Sequence, residues 1–214
     1  ITTDKEFQSI IDKMKIAQAS WANTPITKRS SILFKFKNLI EKNSDDIARI
    51  ISEEHGKVFS DAKGSLQRGL EVVDFACGIP HLLKGNHSIN VGTNVDSFDI
   101  KQPLGLCAGI TPFNFPAMVP MWMFPISIAC GNAFMLKPSE KVPQCSLKLG
   151  ELLNEAGLPE NVLTIVNGDK SVVDKILQSP DISSVSFVGS TPVAKYIYTE
   201  CAKYNKRVQA LGLS

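Results

Sequence analysis

Three short stretches carry residue types that can do chemistry: "TPFNFP" (residues 111–116), "KPSE" (137–140) and "VGSTPV" (188–193). In the first, Asn114 stands between Phe113 and Phe115, with Pro112 and Pro116 on either side. Proline restricts itself and the residue before it to extended or polyproline geometry, so the asparagine rides on a stiff loop. A side-chain amide held rigidly in an apolar setting is a good donor to a developing oxyanion, because it needs no reorganisation. The commoner use of such an asparagine is to bond its own backbone in a turn. Both uses remain open on these residues alone.

"KPSE" sets the Lys137 cation three residues from the Glu140 carboxylate, with Pro138 fixing the backbone between them. A donating ammonium and an accepting carboxylate suit the hydroxyls of a ribose. The same pair also reads as a solvated ion pair. In "VGSTPV", Gly189 predicts a tight turn, Ser190 or Thr191 an N-cap, and Pro192 the first helical position, where its missing N–H is not needed. A helix starting there offers free N–H groups and a positive dipole end to a phosphate. Plain capping is the alternative, and no GxGxxG occurs anywhere in the chain.

The elements that must position these stretches follow from periodicity. Thr3 and Glu6 form a capping box ahead of Phe7, Ile10, Ile11, Met14 and Ala17 on one helical face. A second amphipathic helix is predicted over Ile32, Leu33, Phe36, Leu39 and Ile40. Ser44 is expected to cap a third, with Asp45 and Asp46 in its first turn, Ile47, Ile50 and Ile51 inward and a stop near Gly56. A fourth is expected over Ser65–Cys77. Residues 85–103 read as a short hairpin or paired extended segments. From Leu104 onward, short apolar runs alternate with amphipathic ones, which predicts an α/β fold: a Rossmann-like parallel sheet with helices on both faces. Such sheets bind ligands at the carboxyl ends of their strands, where all three stretches fall.

Composition narrows the function classes. With 43% apolar residues, 21% charged residues and a net charge of +2, the 214-residue chain has an ordinary globular balance and lacks the basic excess of a nucleic-acid binder. Its cysteines, Cys77, Cys107, Cys130, Cys145 and Cys201, show no CxxC spacing, so neither a disulfide framework nor a metal site is expected. The longest apolar run, residues 118–130, is broken by Pro120 and Pro125 and falls short of the roughly 20 residues of a membrane span. No secretory leader is visible, so a reducing, cytoplasmic setting is expected. The chain opens on Ile1, which leaves a processed leader open.

"TPFNFP", "KPSE" and "FVGSTPVAK", in this order and spacing, together with "NVGTNVDSFDIKQPLG", resemble the aldehyde dehydrogenase superfamily over essentially the whole chain. "PFNFPAMVPMWMFPISIACGNAFMLKPSE" and "QRGLEVVDFACGIPHLLKG" are most similar to its CoA-acylating branch, which acts on malonate and methylmalonate semialdehydes. The resemblance implies that Asn114 stabilises the oxyanion. It implies that Lys137 and Glu140 hold the adenosine ribose of NAD, that Gly189 and Ser190 approach the pyrophosphate, and that Thr111, Pro112, Phe113 and Gly168 also line the cofactor site. By the same resemblance Arg68 pairs with the substrate carboxylate; on its own residue type it is a solvated helix arginine. CoA is implied as co-substrate, and a dimer or tetramer as the assembly of the intact protein. A mitochondrial matrix location is implied for a eukaryotic source. The implied division is residues 1–85 as the helical part of the NAD-binding domain, 86–103 as part of an oligomerisation element, and 104–214 as the Rossmann-like core.

The departures matter too. Hydrolytic members carry a glutamate base before an "LGG" pattern near this end, where the chain has Ala210 and Leu213. That suits acyl transfer to CoA rather than to water. Lys170 and Ala194 stand where many members have glycine. None of the five cysteines lies in the family's nucleophile motif, so the chain is expected to be an amino-terminal portion, inert by itself, because covalent catalysis needs an activated thiolate. Two other readings remain: a non-catalytic nucleotide-binding module, and a hydrolytic dehydrogenase acting on a different aldehyde.

Overall fold

The structure, a computed structural model, describes residues 2–213. The amino-terminal third is helical: α1 (Asp4–Ala22), α2 (Ile26–Lys42), α3 (Ser44–His55), α4 (Phe59–Cys77) and the single turn α5 (Ile79–Leu82). The Thr3–Glu6 capping box forms in both directions at the start of α1. Helix α3 is bounded differently from its prediction. Asn43 occupies the N-cap position and Ser44 is the first helical residue, because the Asn43 amide bonds back to the carbonyl of Leu39 and closes α2 at the same point. Its far end is as expected: Gly56 adopts φ 80°, and its N–H bonds the carbonyl of Ser52. Helix α4 begins six residues earlier than expected. Gly64 looks like a breaker in the sequence, but with open space around it the helix runs through, burying Ala62.

Residues 87–98 form an antiparallel hairpin of β1 (His87–Gly92) and β2 (Val95–Phe98), exposed along its whole length. The remaining elements are β3 (Leu106–Ile110), α6 (Met118–Ala129), β4 (Ala133–Lys137), α7 (Pro143–Glu155), β5 (Leu163–Ile165), α8 (Lys170–Gln178), β6 (Ile182–Ser190), α9 (Thr191–Lys203) and β7 (Arg207–Leu213). The strands form one parallel sheet in the order β5-β4-β3-β6-β7. Strands β3 and β4 are buried at every residue, as strands covered on both faces must be.

Two cores flank this sheet. On one face α1, α8 and α9 pack Ile11, Met14, Ile176 and Ile197 against Ala108, Met135 and Val185. On the other, α2, α3, α4, α6 and α7 pack Phe36, Ile51, Phe124 and Leu149 against Cys107, Phe134 and Leu136. The apolar run that opens α6 is explained here, since α6 is sandwiched between α4 and the sheet. Gly69 of α4 permits the close approach: a Cβ there would meet Met118 Cα at 3.2 Å. No helix among the described residues is long and apolar enough to cross a membrane.

Candidate active site

From β3 the chain moves outward through α6 and α7 to β4 and β5, then returns by α8 to β6 on the opposite side of β3. The strand order therefore reverses between β3 and β6, and ligands of such sheets usually bind beyond the carboxyl ends of the strands at this reversal. The loop bearing Asn114 leaves β3 at this end of the sheet, and Gly189 and Ser190 end the neighbouring β6. Ile110 is level with Lys137 on β4 and with Phe187 on β6. At the usual strand spacing, the Lys137 rim and the β6 end stand about 10 Å apart across β3. The three stretches thus converge on one edge of the sheet.

Each predicted residue has a definite place in this edge. The Thr111 N–H donates to the Lys137 carbonyl at 3.1 Å, and its buried hydroxyl has no hydrogen-bond partner among the described residues. Pro112 is half-buried. Phe113 is exposed, its ring stacked on His55 at 5.7 Å between centroids and lying 5.2 Å from the Lys141 ammonium. Asn114 is half-buried, and its main-chain carbonyl accepts from Lys57 Nζ at 2.9 Å. Among the described residues no hydrogen bond engages its side-chain amide, so the turn-forming use is not realised.

The Lys137 side chain is 6% exposed and that of Glu140 58%, with Nζ to Oε2 at 3.2 Å. A buried ammonium facing one exposed carboxylate is not the solvated pair of the alternative reading. Glu140's own backbone N–H, then Lys137, hold the Glu140 carboxyl below its usual range, despite partial burial. Gly168 is buried in the turn between β5 and α8, followed by Asp169, whose carboxylate caps Ser171 N at 2.9 Å. Ser171 holds the Asp169 carboxyl low, and the charge of Lys137 adds to the effect.

Gly189 departs from its prediction. It makes no tight turn but continues β6, paired with Gly212 of β7. A Cβ there would run into the tip of the Phe187 ring, which folds back over the glycine. Ser190 is the N-cap of α9 without a side-chain capping bond, and Pro192 sits in the first turn. Arg68 is exposed on α4, and its charge is felt at Lys57. Ala210 lies on β7 opposite Phe187, and a methyl group there cannot act as a base. Lys170 opens α8 and is tied to Asp174 at 2.6 Å and Tyr196 at 3.3 Å, while Ala194 is buried in α9. Ser214 lies outside the described residues.

All five thiols have their pKa raised by burial, those of Cys77 and Cys201 to about 11. None is a ready thiolate nucleophile. His55, Lys57 and Glu54 went unnoticed in the sequence, yet they touch the loops of this edge. The only local hint is "EHGK", an imidazole and a cation on either side of a helix-terminating glycine.

The strand order and the helices on both faces define a doubly wound α/β domain. A family model described as "Aldehyde dehydrogenase family" matches residues 2–212, and the chain belongs to this family. It is 55% identical over 208 residues to a malonate-semialdehyde dehydrogenase of Pseudomonas aeruginosa, covering 97% of the chain and 42% of the relative. It is 49% identical over 210 residues to an acylating, mitochondrial methylmalonate-semialdehyde dehydrogenase of Arabidopsis thaliana, covering 98% of the chain and 35% of the relative. Among solved structures, a candidate methylmalonate-semialdehyde dehydrogenase of Sinorhizobium meliloti complexed with NAD superposes with a TM-score of 0.96 at 50% identity, covering 98% of this chain and 43% of that one. The chain thus spans about two fifths of the length of these relatives.

Proposed function

We propose that the chain is the cofactor-binding part of an NAD-dependent dehydrogenase that oxidises malonate or methylmalonate semialdehyde and passes the acyl group to CoA. The observation that carries this reading is the unengaged, half-buried Asn114 amide on the stiff loop after β3, at the same end of the sheet as the buried Lys137 and exposed Glu140. The names of the relatives support the substrate class.

The residues at the rim fit a dinucleotide. The Lys137 ammonium donates to, and the Glu140 carboxylate accepts from, the two hydroxyls of a ribose. The N-terminus of α9 presents N–H groups and a positive dipole end to the pyrophosphate. The unpartnered Thr111 hydroxyl lies in the same edge, a polar group awaiting a partner. NAD, when bound, supplies the electron acceptor.

The chemistry at the aldehyde starts with a thiolate, which the buried thiols of this chain do not furnish. We place it in the part of the relatives' length beyond this chain. As its sulfur bonds to the carbonyl carbon, negative charge builds on the oxygen, and the Asn114 amide donates to that oxygen. Arg68 pairs with the substrate's distal carboxylate. With alanine at 210, no glutamate base is available at that position to activate water, which favours release by CoA. The exposed hairpin, with Ile89, Val91, Val95 and Phe98 in water, supports a contact surface between subunits. Five unpaired thiols support a reducing compartment.

The test uses the intact protein. Asn114→Ala is expected to lower kcat by ~10²–10³ with NAD affinity retained, the usual loss for one oxyanion donor. Acyl-CoA is expected as the product. Full-rate acid formation without CoA would remove the acylating assignment, and an unchanged rate of the chemical step in Asn114→Ala would remove the role of the amide.

A further inference from the structure

We infer that the turn closing α3, Glu54-His55-Gly56-Lys57, is a positioning device that sets the orientation of Asn114, with Lys57 as its principal residue. This rests on the reading of Asn114 as the oxyanion donor. The Lys57 ammonium donates to the main-chain carbonyl of Asn114 at 2.9 Å and lies 4.2 Å from the centre of the Phe115 ring. On the other side of Asn114, the His55 ring stacks on Phe113 at 5.7 Å with the planes inclined by 21°. The donor residue and both its neighbours are therefore each held by one turn of chain more than fifty residues earlier. The left-handed Gly56, at φ 80°, ends the helix and separates the two contacts.

The placement of Lys57 is not that of an ordinary surface lysine. It is half-buried and has no salt-bridge partner among the described residues; its bonds go to a carbonyl and an aromatic face. Burial, and then the charge of Arg68, push its pKa down, partly offset by Asp61. The same turn reaches the neighbouring rim: Glu54 accepts from the N–H groups of Gln144 and Cys145, at 2.9 and 3.2 Å, at the start of α7. Lys141, just after the Lys137–Glu140 pair, lies near the Phe113 ring. One turn thus holds the oxyanion loop and the segment behind the ribose pair in a common frame. A small misplacement of a donor is costly to catalysis, which gives such a frame its use.

The experiment measures the first NADH-forming turnover of the intact enzyme by stopped flow for wild type, Lys57→Met, Lys57→Arg, Asn114→Ala and the Lys57→Met/Asn114→Ala double variant. Lys57→Met is expected to slow that turnover about tenfold, with NAD affinity and melting temperature near wild type, and Lys57→Arg to restore most of the rate. In the Asn114→Ala background, Lys57→Met is expected to change the rate by less than about twofold, because the group it orients is gone. Equal effects in both backgrounds, or no effect in wild type, overturn the inference while leaving Asn114 its role. If Asn114→Ala alone leaves the first turnover unchanged, the oxyanion reading fails and the inference with it. Should Lys57→Met not fold, Lys57→Gln takes its place in the same cycle.

Discussion

Replacing Gly189 by alanine separates two roles that this glycine can have at the β6 end. Its Cβ would lie 3.1 and 3.2 Å from two edge carbons of the Phe187 ring and closer still to the ring tip. Comfortable carbon contacts are about 3.5–4.0 Å, so the ring tip has to retreat by about 1 Å. Phe187 is 5% exposed and packed in the core with Ile110 and Ala194, so there is little free space to receive it. Overpacking of this kind costs about 1–3 kcal/mol. At the full length of the relatives, that lowers the melting temperature by roughly 1–6 °C, since each kcal/mol counts for less as size grows. The assay is thermal unfolding of the intact protein for Gly189→Ala, Phe187→Leu and the double variant, with NAD affinity measured in parallel. Truncating the ring removes the clash, so the double variant is expected to be more stable than the sum of the singles by at least ~1 kcal/mol. Additive effects would refute the packing account. An unchanged melting temperature with a tenfold loss of NAD affinity would refute it as well, and would assign the glycine to close approach of the cofactor.

Two further outcomes test the end of α3 and the base of the hairpin. Gly56→Ala meets no atom within 4 Å, so its cost comes from the left-handed backbone alone, about 1–2 kcal/mol; Gly56→Asn is expected to cost less, and denaturant unfolding compares them. At the hairpin, Asp99 accepts from the Asn86 backbone and side chain at 2.7 and 2.9 Å and pairs with Lys101 at 2.8 Å; Lys101 and then Asn86 bring its pKa down to about 2. With the folded pKa below the unfolded value of about 3.9, this clasp is fully present above pH 4 and is lost as pH falls through 2. Protection of the Asn86 amide, its exchange rate relative to the intrinsic rate at each pH, should fall over that window in wild type and show no such step in Asp99→Asn.

Much of the architecture was legible because its causes are local. The Thr3–Glu6 box, the Gly56 stop and the doubly buried runs at β3 and β4 act through neighbours three or four residues away, or through periodicity. The misread boundaries were those where a residue served something distant. Asn43 displaced Ser44 as the cap because it also closes α2. Gly64 did not break α4 because Ala62 has a core to fill.

The site divides in the same way. Sequence alone determined that Asn114 rides a proline-stiffened loop, that a cation and a carboxylate sit three residues apart on another, and that the five cysteines lack CxxC spacing, since residue type and near-neighbour geometry are properties of the chain itself. Only the tertiary structure decided that β3 and β6 meet at a reversal of strand order, that the Lys137 ammonium is buried while its partner is exposed, and that Gly189 yields to an aromatic ring rather than to a turn. It also brought Lys57 to Asn114, 57 residues away in sequence. Such contacts depend on how distant segments pack, and the packing of a whole sheet and its helices is not written in any one window of the chain.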